Sequence, residues 1–150
     1  MLTDAQRQAA ADAILKAEQT RVVCSQPSKT WPDMTLEDAY DVQRRWAEAR
    51  IAQGAKIVGR KIGLTSKAVQ KQLGVDQPDY GLLFADMEVM DGEEIPQNRL
   101  HQPKVEAEIA YVIAAPLTGP FITMVDQLAS IGYVVPALEV VGSRVADWDI

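Results

Sequence analysis

Apolar residues recur along the chain at two spacings, and the change from one to the other divides it. Behind Thr3, a residue able to cap a helix, Ala9, Ala10, Ala13, Ile14 and Ala17 form a stripe at helical intervals. The stripe is mostly alanine, which suits close approach to a neighbouring element better than a large core. "SQPSKTWPDM", residues 25–34, is punctuated by prolines and reads as loop. Thr35 with Asp38 is a capping-box variant that opens a second helix through "LEDAYDVQRRWAEARIAQG". Its predicted buried face is Leu36, Ala39, Tyr40, Trp46, Ala47 and Ile51, and Gly54 is its stop.

From Ala55 the period shortens to that of strands. "KIVGRKIGLTS" predicts a strand ending at Gly63, after which Ser66 caps a short helix, "KAVQKQL", that stops at Gly74. "VDQPDYGLLFADMEVMDGEEIP" mixes turns with short apolar runs: Asp79 falls in a turn, and Asp91-Gly92 is a tight-turn signal. "KVEAEIAYVI", residues 104–113, alternates as a strand. Val105, Ala107, Ile109 and Tyr111 take one face, while Glu106, Glu108, Ala110 and Val112 take the other. After the loop "APLTGP", "FITMVDQLASIG" predicts a helix capped by Thr123 and ended by Gly132. "YVVPALEVVG" is a final strand whose neighbours are apolar on both faces, so it is expected to be buried on both sides. No internal repeat or low-complexity tract interrupts this order. The expectation is an α+β fold in one domain, 1–150, with a helical part over 1–54 and a β-rich body over 55–150.

Composition narrows the function classes. The 150 residues include 21 acidic and 15 basic side chains, a net charge of −6, so a nucleic-acid backbone is repelled overall. Cys24 is the single cysteine and has no internal disulfide partner, which fits a reducing compartment. "MLTDAQRQAAADAIL" lacks the basic start and unbroken apolar run of a signal peptide, and nothing approaches the roughly 20 apolar residues of a membrane span. These features point to a soluble, cytoplasmic protein with neither nucleic acid nor membrane as partner.

Glu106 and Glu108 by themselves are explained by a solvated strand face. Glu139 alters that balance, because an ionised carboxylate in an apolar strand is costly unless it is paired or holds a metal. A protonated glutamate, or one paired with Arg144, remains the plain alternative. Three carboxylates without histidine company suit a hard divalent cation such as Mg²⁺ or Mn²⁺. Zinc is disfavoured, since His101 is the one histidine and no HExxH or CxxC occurs. Lys61 shares its strand face with Gly59 and Gly63, which leaves room beside its ammonium, although a surface lysine explains the spacing as well. Asp79 is equally explained by turn chemistry, and His101 by a loop. "GRKIGLTS" lacks the spacing of a phosphate loop.

Taken together, "GRKIGLTSKAVQKQLGVDQPDYG", "PKVEAEIAYVI" and "PALEVVGSRVADWDI" resemble the 2-keto-4-pentenoate hydratase and 4-oxalocrotonate decarboxylase family, within the fumarylacetoacetate hydrolase-like superfamily. The resemblance runs over essentially the whole chain. It implies a mixed β-sheet or β-roll body of the fumarylacetoacetate hydrolase C-terminal-like type, truncated at its C-terminal end because members of the family are longer. The ending "DWDI", without a stop signal of its own, agrees with that. The resemblance further implies a Mg²⁺ or Mn²⁺ site at Glu106, Glu108 and Glu139, with Lys61 and Asp79 serving substrate binding and proton transfer. The implied activity is hydration of a small 2-hydroxy-2,4-dienoate. The alternatives are decarboxylation of 2-oxo-3-hexenedioate or a non-catalytic scaffold role. Implied partners are further copies of the chain and a pathway decarboxylase or aldolase.

Overall fold

Three helices begin at threonines that close capping boxes. Thr3, Thr35 and Thr123 each accept a hydrogen bond from the backbone N–H three residues on, at Gln6, Asp38 and Asp126, whose side chains reach back to the cap. The structure, a computed structural model, describes residues 1–148; Asp149 and Ile150, the last half of the "DWDI" ending, lie outside the described residues. The helices are α1 (Asp4–Thr20), α2 (Pro27–Thr30), α3 (Leu36–Ala52), α4 (Lys67–Leu73) and α5 (Met124–Ser130). The strands are β1 (Ile57–Gly63), β2 (Asp79–Phe84), β3 (Lys104–Ile113) and β4 (Ile131–Val141). This is an α+β arrangement, and none of the described helices is long and apolar enough to cross a membrane.

The described chain divides into two compact units. The first is Met1–Arg99 together with the segment from Arg144 onward, and the second is Leu100–Ser143. In the first, α1 packs on α3, and β1 pairs antiparallel with β2. Ala10, Ala11 and Val42 are buried at the α1–α3 contact, with Ile14, Trp31 and Met34 against them. Trp46, Ala47 and Phe84 form a second cluster, in which the Trp46 and Phe84 rings meet edge-on at 5.5 Å between centroids.

A polar network surrounds that second cluster. Arg50, itself buried, donates to Glu18 at 2.5 Å and to Asp86 at 2.6 Å, with its guanidinium 4.7 Å from the Phe84 ring centroid. Trp46 Nε1 donates to Glu18 at 2.7 Å, and the Arg144 guanidinium lies 4.4 Å from the Trp46 ring centroid. A side chain that is cation, donor and packing surface at once cannot be replaced by a simple hydrophobe without leaving carboxylates unpaired.

Several expectations require correction. The buried face of α3 comprises Asp38, Val42, Trp46, Ala47 and Arg50, whereas Leu36 and Ile51 are exposed. Two polar side chains are buried because they are satisfied there, and hydropathy alone does not register that. "SQPSKTWPDM" contains the helical turn α2, with proline at its first position, where a missing N–H costs nothing. Asp79 is the first residue of β2, not part of a turn. β4 is not buried on both sides: it pairs with β3 as a two-stranded ribbon, and most of its residues are exposed. Glu139 is half-buried, and Arg144 pairs with Glu18 at 3.5 Å.

Asp38 is the most deeply placed charge. Burial opposes its ionisation, but the backbone N–H groups of Thr35 and Leu2, the Arg7 guanidinium and the Thr35 hydroxyl all donate to it and together hold the carboxyl well below the usual carboxylate range. A depressed folded-state pKa contributes stability that is complete above the unfolded-state pKa of about 3.9 and is lost as pH falls below it. Asp38→Asn should therefore lower the denaturation midpoint at pH 7. The gap from wild type should narrow between pH 4 and pH 2, as measured by urea unfolding across that range. Phe84→Ala should cost about 3–5 kcal/mol in the same assay, because a fully buried ring leaves a cavity between Trp46 and Arg50.

Candidate functional site

In the second unit, β3 and β4 run antiparallel with Glu106 directly opposite Glu139 and Glu108 opposite Ala137. Residues paired across an antiparallel ladder point the same way, and so do residues two apart on one strand. All three glutamates therefore project from one face, followed along it by Ala110 and Val112 on β3 and by Val135 and Tyr133 on β4. The opposite face carries Val105, Ala107, Ile109 and Tyr111 against Val140, Leu138, Pro136 and Val134. The alternation read in "KVEAEIAYVI" is thus the observed one.

One carboxylate oxygen from each of Glu106, Glu108 and Glu139 lies within 4.8 Å of the other two. Like charges on one rung oppose strand pairing. Each such contact costs on the order of 1 kcal/mol at a water-like dielectric and several times that once water is excluded. A divalent cation reverses the sign of this term. Oxygens sharing one hard cation at about 2.0–2.6 Å stand about 3–5 Å apart, so this donor set fits such an ion. An all-oxygen set is poorly matched to zinc, whose sites are built mainly around histidine nitrogen and cysteine sulfur.

Lys61 and Asp79 belong to the first unit. In the β1–β2 hairpin Lys61 pairs with Gly81 and Gly63 pairs with Asp79, so the lysine and the aspartate occupy adjacent rungs on one face, diagonally across the strands. The same end of that hairpin is anchored by α3. Tyr40 stacks on Tyr80 with centroids 4.6 Å apart, and Gln43 Nε2 donates to the Tyr80 carbonyl at 3.1 Å. Lys61 is half-buried and Asp79 exposed.

Sequence reasoning left two features out. Gln43 and Tyr40 support β2 beside Asp79, and only the helical spacing between them hinted at a shared face. His101 lies in a loop, as expected, but its Nε2 is a buried atom with no hydrogen-bond partner among the described residues. Its backbone is closely approached as well: a Cβ on Gly142 would lie 2.8 Å from the His101 carbonyl oxygen, which accepts from Ser143 N–H at 3.1 Å.

No protein-family model matches the chain. It is 50% identical over 149 residues to the 2-keto-4-pentenoate hydratase of Paraburkholderia xenovorans LB400, covering 99% of this chain and 55% of that protein. It is 45% identical over 129 residues to the 2-oxo-hept-4-ene-1,7-dioate hydratase of Escherichia coli, covering 86% of this chain and 48% of the relative. Among solved structures it resembles 4-oxalocrotonate decarboxylase from Pseudomonas putida G7 complexed with magnesium and adipate. The TM-score is 0.91 at 42% identity, over 99% of this chain and 56% of that one. The chain thus spans about half the length of the relatives it matches.

If the three carboxylates repel one another in the absence of a cation, Glu106→Gln should leave the thermal midpoint in EDTA unchanged or raise it, by up to about 1 kcal/mol of stability. Differential scanning calorimetry checks this. By sequence and by fold, the chain is similar to about half the length of 2-keto-4-pentenoate hydratases and of a 4-oxalocrotonate decarboxylase.

Proposed function

We propose that the protein is a metal-dependent hydro-lyase that adds water to 2-hydroxypenta-2,4-dienoate to give 4-hydroxy-2-oxopentanoate, a step of aromatic meta-cleavage catabolism. The observation that carries this reading is the convergence of Glu106, Glu108 and Glu139 on one face of the β3–β4 ribbon. These three would hold Mg²⁺ or Mn²⁺, in keeping with the magnesium in the related decarboxylase structure. A cation bound there supplies Lewis-acid chemistry, favouring negative charge on the 2-oxygen of a 2-oxo acid.

The chain's own residues handle charge and protons. The dienol loses its hydroxyl proton and gains one at C5, becoming a conjugated 2-oxo-3-enoate. Water then adds across C3 and C4, with hydroxide to C4 and a proton to C3, for a net gain of one water. Lys61 and Asp79 are assigned to moving these protons, an ammonium and a carboxylate being able to give and take them respectively. The Lys61 ammonium also pairs with the substrate carboxylate. A Schiff base on Lys61 is unnecessary where a cation already favours charge at the 2-oxygen.

The body is read as the fumarylacetoacetate hydrolase C-terminal-like type, supported by the close match to the decarboxylase fold. A cytoplasmic setting is supported by the lone cysteine. Assembly as a homo-oligomer, with association to a pathway decarboxylase or aldolase, rests on the family resemblance.

A second reading has one specific observation in its favour. The related structure holds adipate, a dicarboxylate, which suits decarboxylation of 2-oxo-3-hexenedioate. Incubating the protein with each substrate and Mg²⁺ separates the two: loss of dienol absorbance without CO₂ release supports the hydratase, and CO₂ release from the hexenedioate supports the decarboxylase. EDTA should abolish turnover, and Mg²⁺ should restore it. Glu106→Gln should lower kcat at least about 100-fold while remaining folded, consistent with loss of a charged transition-state stabiliser. Wild-type turnover by this variant would end the metal assignment.

A further inference from the structure

On the face of β1–β2 that carries Lys61 and Asp79, every rung pairs a side chain with a glycine. Gly59 faces Leu83, Gly81 faces Lys61, and Gly63 faces Asp79. Glycine in a strand interior weakens it, so three on one face of a short hairpin call for a reason. Backbone conformation does not provide one, since Gly59, Gly63 and Gly81 are absent from the set of residues with positive φ. Alanine could take up the backbone at each of them.

The space above the glycines differs from rung to rung. A Cβ on Gly59 would meet Leu83 at 3.5 Å, an ordinary contact. On Gly81 it would come 3.2 Å from Lys61 Cγ and 3.6 Å from Cδ, tight enough to shift the lysine stem. On Gly63 it would overlap Asp79 Oδ1 and stand 3.2 Å from Cγ and 3.5 Å from Oδ2. The Asp79 carboxylate therefore points its Oδ1 into the space over the bare backbone of Gly63, and the Lys61 stem lies over Gly81. Each charged side chain leans across the ladder into room that the opposite strand leaves open.

We propose that Gly63 is a positioning residue for the Asp79 carboxylate, with Gly81 doing the same more weakly for Lys61. What matters is the missing methyl group, not backbone freedom. This rests on the reading of Asp79 and Lys61 as proton-transfer residues. The overlapping atom at Gly63 is the free end of a side chain, which can swing aside without moving the strands. Gly63→Ala thus displaces the carboxylate and leaves the hairpin standing. A misplacement of about 1 Å in a reacting group costs about 100-fold in rate.

The test is a mutant cycle in the protein with Mg²⁺ and 2-hydroxypenta-2,4-dienoate, read alongside the ¹³C signal of the Asp79 side-chain carboxyl. Gly63→Ala is expected to lower kcat about 100-fold, with KM changed by no more than about 3-fold and an unfolding midpoint near wild type. Its Asp79 carboxyl signal should move. Gly81→Ala should show a smaller loss, and Gly59→Ala neither loss nor shift. Because Gly63 acts through Asp79, Gly63→Ala with Asp79→Asn should be no slower than Asp79→Asn alone. Losses that multiply in the double variant, or an unmoved Asp79 signal in Gly63→Ala, would overturn the proposal. Wild-type turnover by Asp79→Asn would instead remove Asp79 from the chemistry, and the carboxyl signal alone would then decide whether Gly63 positions it.

Discussion

The pairing of Glu106 with Glu139 is the constraint from which the rest of the candidate site follows. A ladder has a side-chain period of two, so a slip of one residue would send Glu139 to the apolar face with Val105 and Ile109 and leave Glu106 and Glu108 opposite Leu138 and its apolar neighbour Pro136 or Val140. The apolar complement on the other face, Val105 to Tyr111 against Val134 to Val140, favours the observed register. Like charges across the ladder oppose it, and a cation held between them would reverse that term. Two opposing terms are thus set against each other on one ribbon: apolar pairing fixes the register, and the register forces like charges together.

The β1–β2 hairpin solves a related problem differently. Here the charges are opposite in sign, and crowding is relieved by omitting side chains on the facing strand. Support comes from behind, where Tyr40 and Gln43 of α3 grip Tyr80, and from the strand end, where Phe84 is locked against Trp46 and Arg50. Arg50 is held in turn by Glu18 from α1 and by Asp86 just beyond β2. The helical layer is therefore more than a cap on the fold. It fixes the strand from which Asp79 projects.

Local chemistry was largely readable from the chain. Caps at Thr3, Thr35 and Thr123 involve residues three apart, and the alternation in "KVEAEIAYVI" needs only neighbours, so both are legible in the sequence where they occur, although the full capping box is read there only at Thr35. The helical stop at Gly74 is of the same kind, a left-handed residue closing α4. Asp79 was misread for a complementary reason. "QPDYG" has the composition of a turn, and only its pairing with Gly63, on a strand formed earlier in the chain, makes it the start of β2.

Sequence alone determined which residues could take part: three glutamates in strand patterns, a lysine between glycines, an aspartate after a proline, and no histidine or cysteine set to compete for a softer metal. Tertiary structure decided which of them meet. That Glu139 closes on Glu106 and Glu108 depends on register between distant segments, and that Asp38 and Arg50 are buried while Leu36 and Ile51 are exposed depends on partners supplied by other elements. The physical reason is one of range. Capping, turns and alternation are set within a few residues, whereas burial of a charge and the meeting of side chains across a ladder are properties of pairs that only the folded chain brings together.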